Sequence, residues 1–221
     1  MNSKILLIAQ GSQSIQIVRE LFSLGYKPDG IDVITIDDRK NLSFIDFLDY
    51  YEINIKYALA ENFNRLLISQ LMNKYRIVIS FSNPFIIPEE AISKSIFLNF
   101  HPGLLPKYRG SLSTIYSLIN KEKYVGGSWH YIVKEVDQGN IIYRFKILID
   151  SNDTAFSLNH KIFSKGIQSL CTVLNRVNNN YIGTSQSGKK GFFYLNKFPS
   201  LDKIKNKKLI YRLTYFPPNF K

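Results

Sequence analysis

Cysteine is all but missing from this 221-residue chain, where Cys171 stands alone. One thiol cannot close an internal disulfide and cannot furnish a cysteine-rich zinc site, so no metal is expected and the reducing cytoplasm is the natural compartment. Long apolar runs are missing as well. No stretch approaches the roughly 18 apolar residues that cross a bilayer, and no membrane partner is expected. The opening "MNSKILLIAQG" has a short apolar run, Ile5–Ala9, too short for a secretory signal and better read as a buried first strand. Acids are scarce, 17 against 29 Lys and Arg, which leaves a net charge of +12. The imbalance is local: residues 151–221 hold Asp153 and Asp202 against 12 cations, so ten of the twelve net charges fall there. Such an excess favours anionic partners such as nucleotides, folates or RNA, but a solvated lysine-rich face accounts for it equally. What is present in quantity, 45% hydrophobic residues, suffices at this length for one core with a small extension.

Apolar spacing sets the organisation. "KILLIA" (4–9) reads as a buried strand; Ile15, Val18, Leu21 and Phe22 then recur at helical spacing, closed by Gly25 as a C′ residue, before a second strand at 30–37. This β-α-β unit implies parallel strands and a right-handed crossover. Further strands are predicted at 53–58, 76–82 and 96–100, with helices at 61–75 and 113–121 and a short one after "PFIIP". Residues 126–149 alternate like paired strands around the turn "VDQGN". With Asp153 as N-cap, Phe156, Phe163, Ile167, Leu170 and Leu174 mark one long helix. The fold class is α/β, a Rossmann-like, doubly wound, mostly parallel sheet over 1–178, with a short C-terminal extension at 179–221 that includes the strand-like "GFFYL".

Sites in such sheets lie beyond the C-terminal ends of the strands. There the chain reads "FLNFHPGLLPKYRG" (97–110). Residues two apart on a strand face the same way, so Asn99 and His101 project together, and Pro102 helps to stop the strand. An amide can donate to a developing oxyanion and an imidazole can move a proton near neutral pH, a pairing suited to acyl transfer. A carboxylate that could orient His101 is available in "HYIVKEVDQGNII", where Asp137 opens a turn made possible by Gly139. On spacing alone, a strand-end histidine and a turn aspartate can equally be structural.

These residues carry a resemblance. "NFHPGLLPKYRG" resembles the signature N-x-H-P-[SG]-L-L-P-x-Y-R-G of the N10-formyltetrahydrofolate-dependent formyltransferases. "GGSWHYIVKEVDQGNII" resembles the second signature of that family, a Gly-x-x-His followed seven residues later by Asp-x-Gly, here His130 and Asp137, and "SFSNPFIIPEEAI" resembles a third segment. The resemblance covers about residues 4–175. It implies Asn99, His101 and Asp137 as the catalytic trio, N10-formyltetrahydrofolate as cosubstrate, and a pterin pocket built from Phe85, Ile86, Ile87 and Pro88 and from the turn Val136, Gln138, Gly139, Asn140 and Ile141. It also implies that His130 buttresses the Asp137 turn, while His160 is expected to be structural and Trp129 to sit between layers.

The branch of the family follows from what surrounds this core. Methionyl-tRNA formyltransferases continue into a barrel domain, for which a chain ending at 221 leaves no room. Glycinamide ribonucleotide formyltransferases open on a Gly-x-Gly-Ser-Asn phosphate loop, but "AQGSQS" lacks one glycine and has Gln13 for the Asn. Ser12, Gln13 and Ser14 could still touch a phosphate at a helix N-terminus, or simply cap the helix. Lys107, Tyr108 and Arg109 are further candidates for substrate contacts. "GFFYLNKFPSLDKI" and "IYRLTYFPPNF" resemble the ending of the sugar N-formyltransferases, which formylate nucleotide-linked amino sugars of surface polysaccharides such as O-antigen. Phe193, Tyr194, Tyr215 and Phe216 could stack on a base or on a partner subunit, so a homodimer is expected. Three alternatives remain: the purine-pathway enzyme, a formyltetrahydrofolate hydrolase, and a non-enzymatic RNA-binding protein. The last would bind RNA with steep salt dependence, and no nucleic-acid partner is expected.

Overall fold

The computed structural model describes residues 4–38, 41–71, 74–188, 190–193 and 207–214. The first strands are five-residue, mainly apolar segments buried on both faces: β1 (Ile5–Ala9), β2 (Ile31–Thr35) and β4 (Ile77–Phe81). With β3 (Asn54–Tyr57), β5 (Ile96–His101), β7 (Tyr124–Tyr131) and β8 (Ile141–Leu148), they form a seven-stranded sheet in the order β3-β2-β1-β4-β5-β7-β8. Pairing is parallel from β3 to β5 and antiparallel through β7 and β8. The chain winds outward from β1 to β3, returns, and winds the other way from β4 to β5. That reversal, between β1 and β4, opens a crevice at the C-terminal ends of the strands.

Helices α1 (Ser14–Ser23), α2 (Leu42–Tyr50), α3 (Phe63–Leu71), α4 (Glu89–Ile92) and α5 (Ser113–Ile119) connect these strands. Gly25 has φ +87° and its N–H bonds to Phe22 C=O at 2.9 Å, as a C′ glycine should. The expected long helix is two, α6 (Ala155–Gln168) and α7 (Leu170–Asn178), joined at Ser169. Its N-cap is Thr154, not Asp153: Thr154 and Ser157 form a reciprocal capping box. Asp153 instead accepts from Ser157 Oγ and Lys161 Nζ, each at 2.7 Å. The junction is also where Trp129 docks, its indole N–H 3.0 Å from both Gly166 C=O and Ser169 Oγ. His160 is exposed on α6, with no core role.

The described parts of the extension lie on this core. "GFFYL" contributes a two-residue strand β9 (Phe192–Phe193), parallel to β6 (Arg109–Gly110). Phe193 stacks on Tyr108 and packs on Tyr116, with centroids 5.0 and 4.5 Å apart. Helix α8 (Lys207–Thr214) buries Leu213 in the core. Tyr194, Tyr215 and Phe216 lie outside the described residues.

At the opposite end of the sheet, buried Asp32 is held by Lys4 and Lys74 at 2.8 Å each, by Asn54 Nδ2 at 2.8 Å and by the Tyr75 hydroxyl. Burial alone would raise its pKa, but these four donors outweigh it and draw the carboxyl down to about 2. Its stabilising share is therefore complete above the ordinary value of 3.8 and lost as pH falls through about 2. Tyr75→Phe, which leaves an acceptor site of the buried carboxylate unpaired, is expected to cost about 1–3 kcal/mol at pH 7, with the deficit shrinking in urea titrations repeated below pH 3. An unchanged midpoint at pH 7 would contradict this.

Candidate active site

The site grows from the end of β5. Asn99 and His101 both line the crevice, as their spacing requires, with Asn99 half-buried and His101 buried. The chain folds back after Pro102, so that His101 Nε2 meets Tyr108 C=O at 2.6 Å. The return passes so close that a Cβ at Gly103 would sit 2.5 Å from that nitrogen. A carbonyl can only accept, so Nε2 carries the hydrogen and Nδ1 is left bare. Nδ1 faces Asp137 Oδ2 at 3.5 Å.

Asp137 reaches this point from the β7–β8 connection with φ +55°, a left-handed conformation costing about 1–3 kcal/mol. Its Oδ2 accepts from Gly110 N–H at 2.7 Å, and its Oδ1 lies 3.4 Å from His130 Nε2. His130 sits opposite Asn99 in the β5–β7 register, at a bulge. Its Nδ1 donates to Tyr131 C=O at 2.8 Å, so its Nε2 is bare and accepts from Asn99 Nδ2 at 3.1 Å. The second N–H of Asn99 is not used by this bond. Thus Asn99, His130, Asp137 and His101 form one connected chain.

The protonation of this chain follows from its surroundings. Burial pushes the His101 pKa down, against the pull of Asp137 and Tyr108 C=O, so the ring is neutral near pH 7. Burial would raise the Asp137 pKa, but the two histidines and Gly110 N–H reverse this, and the carboxyl stays ionised well below the usual range. Two ring nitrogens, His101 Nδ1 and His130 Nε2, therefore converge on one carboxylate, where a proton taken up by either is paired with Asp137. The cluster is built to receive a proton.

Beside it opens a cleft of about 610 Å³ with a mainly apolar wall: Phe85, Ile86, Ile87, Ile132 and Val136, with Phe100 and Phe163 at its base. Asn83 folds the 83–87 loop by bonding both Phe85 N–H and Phe85 C=O at 2.9 Å, and Phe85 stacks on Phe63 at 4.4 Å. A flat heteroaromatic ring fits such a slot. Of the residues expected to form a pterin pocket, Phe85, Ile86, Ile87 and Val136 line this cleft. Pro88, Gln138, Gly139, Asn140 and Ile141 do not. Pro88 is the N-cap residue of α4, and the turn is shaped by close approach: a Cβ at Gly139 would lie 1.8 Å from Tyr131 C=O, and Ile141 is bridged to Thr184.

Most of the residues expected to contact substrate bond within the protein. Ser14 is buried and its hydroxyl donates to Gln10 C=O at 2.7 Å; Gly11 N–H is taken by Asn41 Oδ1, and Gln13 reaches Ser82 Oγ rather than capping α1. Ser12 is exposed, its carbonyl accepting from Ile15 N–H at 3.1 Å. Tyr108 and Arg109 are buried. Tyr108 hydroxyl donates to Glu122 at 2.7 Å, and Lys107 pairs with the same carboxylate at 2.5 Å. Arg109 grips Gln186 Oε1 through Nε at 3.1 Å and Nη2 at 2.6 Å. None of these three lines the catalytic cleft.

Gln186 is the residue that sequence reasoning misses. Its amide nitrogen donates to Asp137 C=O and to Gly139 C=O, 2.8 Å each, stapling the strained turn to Arg109. We class it as a positioning residue. Gln186→Leu is expected to lower kcat about ten- to a hundredfold, the scale of a small misplacement of reacting groups. KM should move little and the pH profile should change with Asp137. A loss confined to thermal stability would refute the assignment.

Comparison with known proteins bears on this site. Residues 55–174 match the family described as Formyl transferase. The GDP-perosamine N-formyltransferase of Brucella melitensis is 27% identical over 195 residues, which span 87% of this chain and 75% of that protein. A sugar N-formyltransferase from Shewanella superposes with a TM-score of 0.78 at 20% identity, over 96% of this chain and 88% of that one. An N-formyltransferase from Helicobacter canadensis, solved with folinic acid and dTDP-3-aminofucose, gives 0.76 at 21% identity, over 95% and 78%. At these identities the two structures establish the fold.

Proposed function

Since the chain belongs to the formyl transferase family, we propose that its cleft moves a formyl group from N10-formyltetrahydrofolate to the primary amine of a nucleotide-linked amino sugar. The observation that carries this reading is the convergence of Asn99, His101 and Asp137 at the mouth of an apolar slot. The likeness to GDP-perosamine N-formyltransferase supports the sugar amine. The Gly11–Ser14 loop, whose groups are largely turned to the protein, argues against a phosphate grip of the purine-pathway kind.

The chemistry follows from the proton inventory. The folate supplies an activated formyl group, and Phe85, Ile86, Ile87 and Val136 are the side chains that would hold its ring system. As the substrate amine adds to the formyl carbon, the carbonyl oxygen gains negative charge. The second N–H of Asn99 is the donor for that oxyanion. His101 Nδ1 takes the proton the amine loses, and the imidazolium so formed is paired with Asp137. As the old carbon–nitrogen bond breaks, the proton held on His101 passes by way of Asp137 to the departing N10, which leaves His101 neutral and Asp137 ionised again. His130 keeps the Asn99 amide turned to its task. The same reading places the enzyme in the cytoplasm, as a homodimer acting in surface polysaccharide synthesis.

The test is a panel of amino-sugar nucleotides, together with glycinamide ribonucleotide, incubated with N10-formyltetrahydrofolate and read by mass. Gain of one formyl group on a sugar nucleotide is the expected result. Reaction of glycinamide ribonucleotide alone would overturn the choice of substrate.

A further inference from the structure

On the far side of the 103–108 loop lies a second hollow, of about 280 Å³, that shares no lining residue with the catalytic cleft. Among the described residues its walls hold two guanidinium groups and no carboxylate. Arg176 is fixed from three sides: its guanidinium lies 5.5 Å from the ring centroid of Tyr143 and 5.4 Å from that of Tyr181, and Nη1 donates to Ile142 C=O at 2.5 Å. Tyr181 is itself held, its hydroxyl 3.0 Å from Thr184 Oγ1 and its carbonyl bonded to the Tyr131 hydroxyl. Arg144 is fixed through Nη1 to Leu105 C=O at 2.6 Å. Among the described residues neither guanidinium is paired with an acid.

The hollow continues into a neighbour of about 290 Å³ through shared walls at Pro106, Arg144 and Ser187. There Lys123 and Lys146 are added, and the one acid, Glu122, is already engaged by Lys107 and Tyr108. Lys123 and Lys146 lie over the Tyr124 ring, at 5.6 and 5.9 Å, so that, like Arg176, they are held by aromatic rings along one furrow. Guanidinium forks match the several oxygens of a phosphate, and groups fixed in advance lose little freedom on binding.

We propose that this furrow is a second anion site that takes a diphosphate group, with one phosphate at Arg176, the other toward Lys123 and Lys146, and Arg144 between them. The source is either free pyrophosphate or a nucleoside diphosphate. The site does not depend on the transfer reaction, and its failure would leave the proposed function untouched.

The experiment is calorimetric titration of the full chain with inorganic pyrophosphate at low ionic strength and without folate, repeated with ADP. One-site binding of pyrophosphate is expected. It should weaken about tenfold in Arg176→Gln and in Arg144→Gln, weaken with salt, and persist in Asn99→Ala. Equal affinity for ADP assigns the site to pyrophosphate; tighter binding of ADP assigns it to a nucleoside diphosphate. Arg144 is exposed, so its variant keeps the test decisive if Arg176→Gln misfolds. Absence of binding up to about 10 mM, or affinity unchanged in both variants, would overturn the proposal. So would displacement by single-stranded RNA with a salt slope of several phosphates.

Discussion

Asp137→Asn lowers kcat by about two to four powers of ten, the range for loss of a proton-transfer group. The substitution keeps the shape: the new side-chain oxygen can still accept from Gly110 N–H, as Oδ2 does at 2.7 Å. What changes is the proton inventory. The amide nitrogen, at the Oδ1 position, becomes a donor facing His130 Nε2, which stands 3.4 Å from that oxygen, and the charge 3.5 Å from His101 Nδ1 is lost. The imidazolium formed when His101 takes the amine's proton then has no carboxylate to pair with. The sign of the pH effect is also determined. Asp137 raises the His101 pKa against the larger effect of burial, so removing its charge moves the acid limb of kcat/KM to lower pH. Rate–pH profiles of the two proteins check both parts. A rate close to wild type, or an acid limb displaced to higher pH, would show that the carboxylate does not serve His101.

Asn99→Ala is expected to cut kcat about 10²–10³-fold, or roughly 3–4 kcal/mol in the transition state. KM for both substrates should hardly move, because the free N–H of Asn99 meets charge that exists only during reaction. The fold should survive. Asn99 is half-buried at a strand end, and among the described residues its side chain contacts the rest of the cluster through one bond, to His130 at 3.1 Å. A rise in KM with kcat intact would make Asn99 a binding residue instead.

How much of this was open to reading in the sequence depends on how far apart the interacting groups lie. Local signals worked well. The apolar runs of β1, β2 and β4 and the two-residue spacing of Asn99 and His101 led to a Rossmann-like sheet with both side chains at the crevice. The Phe44, Ile45 and Leu48 spacing in α2 is equally local, although no helix was expected there. Asp153 and Thr154 are both good caps, and only the reciprocal bonds with Ser157 decide between them. Long-range polar contacts left no trace. Arg109 reads as a free cation because its partner, Gln186, is 77 positions away. Gln186 in turn bonds backbone carbonyls, which no side-chain pattern announces. The pterin turn illustrates the same limit: Gly139 and Ile141 belong to the motif but act by shaping the chain around Asp137 rather than by facing the cleft.

The central claim is that Asn99, His101 and Asp137 let an amine nitrogen displace the folate nitrogen at one carbonyl carbon. Its most direct test uses N10-formyltetrahydrofolate labelled with ¹³C in the formyl group, an amino-sugar nucleotide as acceptor, and NMR to follow the label. The account predicts that the label passes into an amide on the sugar, one for each tetrahydrofolate released, and that Asn99→Ala slows both together. Label appearing as free formate, with or without the amine, would contradict it.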